Sequence, residues 1–412
     1  MPAKRSRMLW MIVVAGIVSR LLLGVLTMDL SRDYYWEYGE IAKNIHAGNG
    51  FSLFHVENGV REYRFDPSAT PLPTAYMSPG YVWFLYPFFF IENVVIRNLL
   101  ILLVQAIIGG ASIMVVASLA ESWFRPGCGI WAAGIAGLLP EFVYAASSYT
   151  PTIIYHLGVL LFLGGAYAVL HEARARTAIA LGAVTGLLVL LRAEFLLCGL
   201  LLTAWLFGLG RHRTAMALLA TMLLVYCPWS VRNAVVFGEF VPTSTSSGLN
   251  LFRGNNAEGY GTWTNESIEK EISRLPVEPQ YEPRVNGIFL RHALEYIRNH
   301  PGQEALLLVS KAAFLWGINP LESRSLNPLY IVPWGLMLLL AVLGAYVCRA
   351  RLHMHLPLLI FLLYSSLVAV VFLVLPRYQT MMKIALVPFT AVGCCRVREW
   401  IEAWVAQHRR TD

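Results

Sequence analysis

The sequence predicts an all-α, polytopic membrane protein, and three observations carry that prediction. Of 412 residues, 57% are apolar or aromatic and only 14% are charged, whereas an ordinary soluble domain carries about 25% charged residues. Several runs, among them residues 9–28, 98–120 and 356–375, reach or approach the roughly 20 apolar residues that cross a hydrocarbon core. The arginines and lysines gather in short clusters between such runs, where they fix the orientation of membrane helices.

The first run follows Lys4, Arg5 and Arg7, a basic start like that of a signal peptide. Its apolar stretch is longer than a signal peptide's, and its end, Leu26 to Leu30, lacks the small-x-small pattern of a cleavage site. It reads as an uncleaved first helix. Further basic clusters lie at Arg174/Arg176, Arg211/Arg213, Arg349/Arg351 and, in the tail, Arg396, Arg398, Arg409 and Arg410. Placing all five clusters in the cytoplasm puts residues 29–78, 141–150, 192–194, 231–301 and 376–379 outside.

That arrangement gives a bundle of about 10 to 12 membrane helices. About ten crossings are clear, and two apolar segments, 79–92 and 304–317, are short. The charge rule works best if neither crosses fully, so each is expected to be re-entrant, tilted or interfacial. The chain then divides into an N-terminal membrane module (1–232) with its external loop 29–78, an external juxtamembrane segment (233–302), and a C-terminal membrane module (303–412) with a cytoplasmic tail. No internal repeat or low-complexity tract is visible.

Composition also excludes some functions. A net charge of +7 could suggest nucleic acid, but the basic residues lie between spans rather than in one patch, so no nucleic-acid partner is expected. Six cysteines, at 128, 198, 227, 348, 394 and 395, all lie in or beside apolar segments. They form neither a disulfide framework nor a metal-ligand spacing.

The polar residues that could carry chemistry fall in the predicted outside segments. In the first, Tyr34, Glu37 and Tyr38, then Ile41 and Ile45, recur at helical spacing and predict an interfacial helix with aromatics at headgroup level. Asp33 stands at its start, where a carboxylate could simply cap the helix. Arg192 could pair with Glu194, and Arg232 and Arg377 could anchor helix ends in the headgroup layer. The stretch Gly248–Asn256, with Asn250, Arg253, Gly254, Asn255 and Asn256, reads as a Gly/Asn-rich loop offering amides and a guanidinium to sugar hydroxyls or phosphate oxygens. It lacks the Lys-Ser/Thr ending of a nucleotide loop.

Several stretches together resemble one family. Asp33, Tyr38, Ala42-Lys43-Asn44-Ile45 and Gly48-Asn49-Gly50-Phe51-Ser52 resemble the first external loop of the GT-C glycosyltransferases, in particular bacterial relatives of protein O-mannosyltransferases and of the lipid A aminoarabinose transferase. Thr74–Tyr81, Leu191–Glu194, Pro228–Asn233 with Phe237-Gly238, Asn250–Asn256, and Pro376-Arg377-Tyr378 with Pro388 are similar to the same family in the same order.

The resemblance implies an inverting transferase in the bacterial inner membrane, its site facing the periplasm. It would move a sugar from a polyprenyl-phosphate donor to an unidentified glycan, lipid or protein acceptor. It implies Asp33 as the general base, Arg192, Arg232 and Arg377 as partners of the donor phosphate, and Tyr38, Glu194, Arg253, Asn255, Asn256 and Tyr378 at the sugar or acceptor. Lys311 and Lys383, inside apolar stretches, are weaker phosphate candidates.

Two departures stand out. Many members carry a second carboxylate in the next external loop, where this chain has Tyr149-Thr150-Pro151-Thr152; Glu141, a little earlier, could substitute. Asp33 is followed by Tyr34 rather than by a second acid, so neither a metal nor a cofactor is expected. Two other classes compete: a flippase or transporter of lipid-linked saccharide, which calls for ionisable groups inside its spans and often inverted repeats, and a polysaccharide ligase or polymerase, which would use the same donor.

Overall fold

The computed structural model describes residues 3–57, 60–172, 174–321 and 326–409; Arg410 of the predicted basic tail lies outside them. Helix α1 (Ala3–Thr27) leads into a first long connection. That connection holds α2 (Trp36–His46), a hairpin of two short antiparallel strands, β1 (His55–Glu57) and β2 (Val60–Glu62), and the short α3 (Pro79–Leu85). Next come α4 (Val94–Leu119), α5 (Gly129–Leu138), α6 (Pro140–Tyr144), α7 (Thr152–Glu172), α8 (Ala175–Leu191), α9 (Phe195–Gly208) and α10 (His212–Phe237). A second long connection carries α11 (Ser247–Gly254), α12 (Glu266–Ile272) and α13 (Tyr281–Asn299). The chain closes with α14 (Pro301–Trp316), α15 (Pro328–Val347), α16 (Leu356–Val371) and α17 (Pro376–His408).

Among the described residues, seven helical segments are long and apolar enough to cross a bilayer. Helices α5 and α6, with the turn that follows them, form an eighth candidate bent by 60°, and α8 and α9 are shorter apolar helices. Seven or eight of the roughly ten crossings expected from the sequence are thus long enough to span, α8 and α9 fall short of that length, and the protein is an integral, multi-pass membrane protein. The two short segments form short helices. α3 and its 3-10 extension end at Phe90, and α14 has 16 residues, about 24 Å at 1.5 Å per residue against a core of about 30 Å.

The bend between α5 and α6 has an identifiable cause. Pro140 has no N–H for the carbonyl of Ala136, four residues earlier, so that carbonyl needs another donor. Arg20, buried in α1, supplies it: Nη2 donates to Ala136 O (2.7 Å), while Nη1 donates to Gly137 O (3.0 Å) and Gly16 O (2.8 Å). A charge inside a span is thus met by carbonyls, two of them at the break between α5 and α6, while its Nε has no partner. At the other side of the bundle, Gly344 of α15 faces the Phe389 carbonyl of α17 and Gly393 of α17 faces the Leu340 carbonyl of α15. The missing side chains let the two backbones approach closely.

The two long connections are joined to each other. Glu282 of α13 is buried and accepts hydrogen bonds from Thr74 Oγ1 (2.5 Å), the Ala75 N–H (2.7 Å) and Thr245 Oγ1. The Thr245 N–H donates to Ala75 O (3.0 Å). Residues 200 positions apart are thereby built into one cap at one end of the bundle.

Two expectations are corrected here. The predicted loop at Gly248–Asn256 is mostly helix, because Leu249, Leu251 and Phe252 bury an amphipathic face against Tyr281, Val285 and Phe289 of α13. Its amides are therefore taken up within the helix. The segment expected outside from residue 231 starts in helix, because α10 runs on to Phe237, where Gly238 takes a left-handed conformation (φ 66°) and ends it.

Candidate functional site at the capped end

Asp33 does not cap a helix. The residue that precedes α2 is Tyr35, which offers no side-chain cap, and the Asp33 carboxylate turns to two cations instead. Arg97 Nη1 donates to Oδ1 (2.8 Å) and Lys43 Nζ lies 3.3 Å from Oδ2 while also donating to the Asp33 carbonyl (2.8 Å). Lys43 is held in turn by Glu40 (3.1 Å), a buried carboxylate that accepts from the Phe65 N–H (2.6 Å). Even so, 46% of the Asp33 side chain stays exposed, so the group is fixed in position yet open to a reactant. Trp36, the first residue of α2, takes a positive φ of 56°, a strained backbone for a bulky residue.

Helix α2 carries the next two members. Tyr38 packs edge-on against Tyr81, with ring centroids 5.2 Å apart, and burial pushes its phenol up to about 12. Burial likewise raises the Glu37 carboxyl above the ordinary carboxylate range, with Arg377 pulling it back down. Both residues lie within electrostatic reach of Arg377 at the start of α17, and Tyr38 of Arg192 as well.

Three arginines converge there with Tyr378. Arg192, in the turn between α8 and α9, pairs with Glu194, donates to Met381 Sδ (3.1 Å) and lies over the Tyr378 ring at 4.5 Å. Tyr364 donates to the Glu194 carbonyl and secures the turn. Arg377 lies over the same tyrosine at 5.4 Å. Arg253, at the end of α11, stacks on Trp263 (3.5 Å), leaves a buried Nε without a partner, and is within electrostatic reach of Tyr378 and Arg377. Burial lowers its affinity for a proton. Among the described residues neither Arg253 nor Arg377 forms an ion pair with a carboxylate. Neither guanidinium is neutralised by a directly paired carboxylate, although Glu37 lies within electrostatic reach of Arg377, so the cluster presents positive charge to which an anion such as a phosphate group could bind.

Other sequence candidates stand elsewhere. Arg232 donates to the carbonyls of Thr74 (2.7 Å) and Phe51 (2.8 Å) and lies among the rings of Phe51, Trp229 and Phe237; its geometry is that of a tether between α10 and the first connection. Asn255 donates to Leu251 O and Val371 O and accepts from Lys311, and Asn256 donates to Phe252 O and accepts from the Gly259 N–H. Both carboxamides are buried and spent on backbone closure. Glu141 is also committed: Lys383 Nζ lies 2.8 and 3.0 Å from its two oxygens.

Arg97 and Lys43 are the participants that sequence reasoning passed over. Arg97 opens a long apolar helix, where anchoring in the headgroup layer is the ordinary reading, and nothing local shows that it reaches 64 positions back. Among the described residues no group of three or more His, Cys, Asp or Glu is placed to hold a metal ion.

No family model and no curated relative matches the sequence. Solved structures do. The chain superposes on the oligosaccharyltransferase of Archaeoglobus fulgidus in its apo form with a TM-score of 0.56 and 13% identity, over 98% of this chain and 52% of that one. The same archaeal enzyme, AglB, in complex with an inhibitory peptide and a dolichol-phosphate gives 0.53 and 13%, over 97% and 52%. ArnT from Cupriavidus metallidurans bound to undecaprenyl phosphate gives 0.40 and 18%, over 92% and 77%. The chain spans about half the length of the oligosaccharyltransferase. Its apolar helices, with their two joined connections at one end, adopt a GT-C-like membrane fold.

Proposed function

We propose that the chain is an inverting glycosyltransferase that takes a sugar from a polyprenyl-phosphate carrier and transfers it to an acceptor on the capped side of the membrane. The basic clusters at 174–176, 211–213 and 349–351 favour the opposite side as cytoplasmic, so the cap would face the periplasm of a bacterial inner membrane. The observation that carries the reading is an exposed, doubly held carboxylate on the same connection as Glu37 and Tyr38, which lie within electrostatic reach of a cluster of guanidinium groups. Asp33 is four residues from Glu37, at most about 14 Å of chain, and Glu37 and Tyr38 face Arg377.

In this reading the acceptor hydroxyl or amine attacks C1 of the sugar and gives its proton to Asp33. The bond from C1 to the phosphate oxygen breaks, and its electron pair leaves on the polyprenyl phosphate. Inversion follows because one displacement occurs, without a covalent intermediate. Arg377, Arg253 and the Glu194-paired Arg192 offset the growing charge of the leaving group. Tyr38 and Tyr378 would line the sugar side.

The test uses purified protein in lipid nanodiscs with a panel of polyprenyl-phosphate sugars, following free polyprenyl phosphate. Asp33→Asn should slow release roughly 10²- to 10⁴-fold. Turnover at the normal rate by that variant removes the base, and movement of intact lipid-linked sugar without bond cleavage replaces the transferase by a flippase.

A further inference from the structure

Helix α17 presents Arg377 and Tyr378 in its first turn, and the next residues are pinned in an unusual way. Gln379 Nε2 donates to the carbonyls of Phe314 (2.7 Å) and Leu315 (2.8 Å) at the end of α14. Thr380 Oγ1 donates to Glu141 Oε1 (2.6 Å), and its carbonyl lies 3.1 Å from His156 Nε2 of α7. Lys383, with no exposed surface, donates to both oxygens of the same Glu141 and sits over the rings of Tyr330 (4.4 Å) and Trp334 (4.3 Å). Glu141 lies on α6, immediately after the 60° bend. One carboxylate thus grips two successive turns of α17.

A buried ion pair is poor evidence for stability, because desolvation offsets much of its attraction and an apolar pair of similar volume often serves as well. What an apolar contact lacks is direction. Hydrophobic packing is non-directional, so it fixes the rotation of α17 less sharply than directed hydrogen bonds do; those of Gln379 hold its first turn to α14, and those of Glu141 hold its next turns to α6. A rotation of 20° would move a side chain about 6 Å from that axis by about 2 Å, and a misplacement of about 1 Å can cost on the order of 100-fold where charges must be aligned.

We infer that Glu141, through Lys383 and Thr380, is a positioning residue that sets the rotation of α17 and so aims Arg377 at the phosphate. The inference rests on the phosphate reading of Arg377.

The experiment measures binding of polyprenyl phosphate to nanodisc-embedded protein, with the affinity and the number of sites fitted separately. A purely structural role would lower the number of competent sites and leave the affinity of the remainder unchanged. The double variant Glu141→Gln/Lys383→Met removes both charges together, so no lone buried charge is left. It should weaken affinity roughly 10-fold or more at an unchanged number of sites. Thr380→Val, which keeps the ion pair and nearly the same volume, should weaken it by a smaller factor, and it remains informative should the double variant fail to fold. Wild-type affinity in Thr380→Val and in a folded double variant, alongside weakened binding by Arg377→Ala, overturns the positioning role and leaves the phosphate site standing. Wild-type affinity in Arg377→Ala overturns the phosphate site and this inference with it.

Discussion

Arg97 reaches Asp33 across 2.8 Å with one nitrogen, while its Nε (3.0 Å) and Nη2 (2.9 Å) both donate to the carbonyl of Ile91. The guanidinium is therefore oriented by the chain beside its own helix before Asp33 meets it. A planar fork held in this way positions a carboxylate more sharply than a flexible ammonium can. Arg97→Lys should accordingly lower kcat by roughly 10- to 100-fold while leaving polyprenyl phosphate affinity near that of wild type, as read by turnover and binding in the same nanodisc preparation. A loss confined to binding would show that Arg97 serves the donor instead.

Tyr378 lies under two guanidiniums, Arg192 at 4.5 Å and Arg377 at 5.4 Å. A ring face attracts cations through its quadrupole, by about 0.5–2 kcal/mol depending on exposure. Tyr378→Phe keeps that face and should bind polyprenyl phosphate within about 3-fold of wild type, whereas Tyr378→Ala should lose about 10-fold or more. Equal losses in both would assign the effect to the hydroxyl.

The Glu37 carboxyl has a pH consequence. Its proton is held above the ordinary carboxylate range by burial, so the acid is neutral at low pH and becomes an anion only as pH rises through that raised value. The anion would compete with phosphate for Arg377. Glu37→Gln should therefore bind polyprenyl phosphate more tightly than wild type on the alkaline side of this titration and equally on the acid side. A difference between the two proteins that does not vary with pH would exclude the competition.

Glu282 joins the two long connections through Thr74, Ala75 and Thr245. Removing one partner from a buried, charge-assisted network costs on the order of 3 kcal/mol, so Glu282→Ala should lower the melting temperature in detergent and expose residues 62–78 to protease. Unchanged melting and unchanged cleavage would show that the cap is held elsewhere.

Gly254 ends α11 directly against the Phe372 carbonyl, where a Cβ would overlap backbone. Gly254→Ala should reduce folded yield and weaken polyprenyl phosphate binding, since Arg253 is the preceding residue. Wild-type yield and binding from that variant would mean that the contact relaxes without consequence.

Legibility in the sequence differed sharply between the spans and the site. Runs such as 98–120 announce a membrane helix by composition alone, because lipid leaves the backbone few ways to satisfy its own hydrogen bonds. The α11 stretch, by contrast, reads as a loop in the sequence and folds as a helix. Gly248, Asn250 and Gly254 are turn formers in isolation, but burial of Leu249, Leu251 and Phe252 on α13 outweighs that preference.

The sequence by itself determined that the protein crosses the membrane many times and where its polar residues gather; the common chemistry of Asp33, Arg192, Arg232 and Arg377 is an expectation drawn from resemblance. Tertiary structure alone decided how the charges are shared. It spends Arg232, Asn255 and Asn256 on backbone carbonyls, gives Glu141 to Lys383, and turns Asp33 toward Arg97 and Lys43. The reason is physical: hydrophobic periodicity is a local property that a run of residues carries with it, whereas the partner of a charge is fixed by which helices pack together, and such partners lie up to 274 positions apart in the chain.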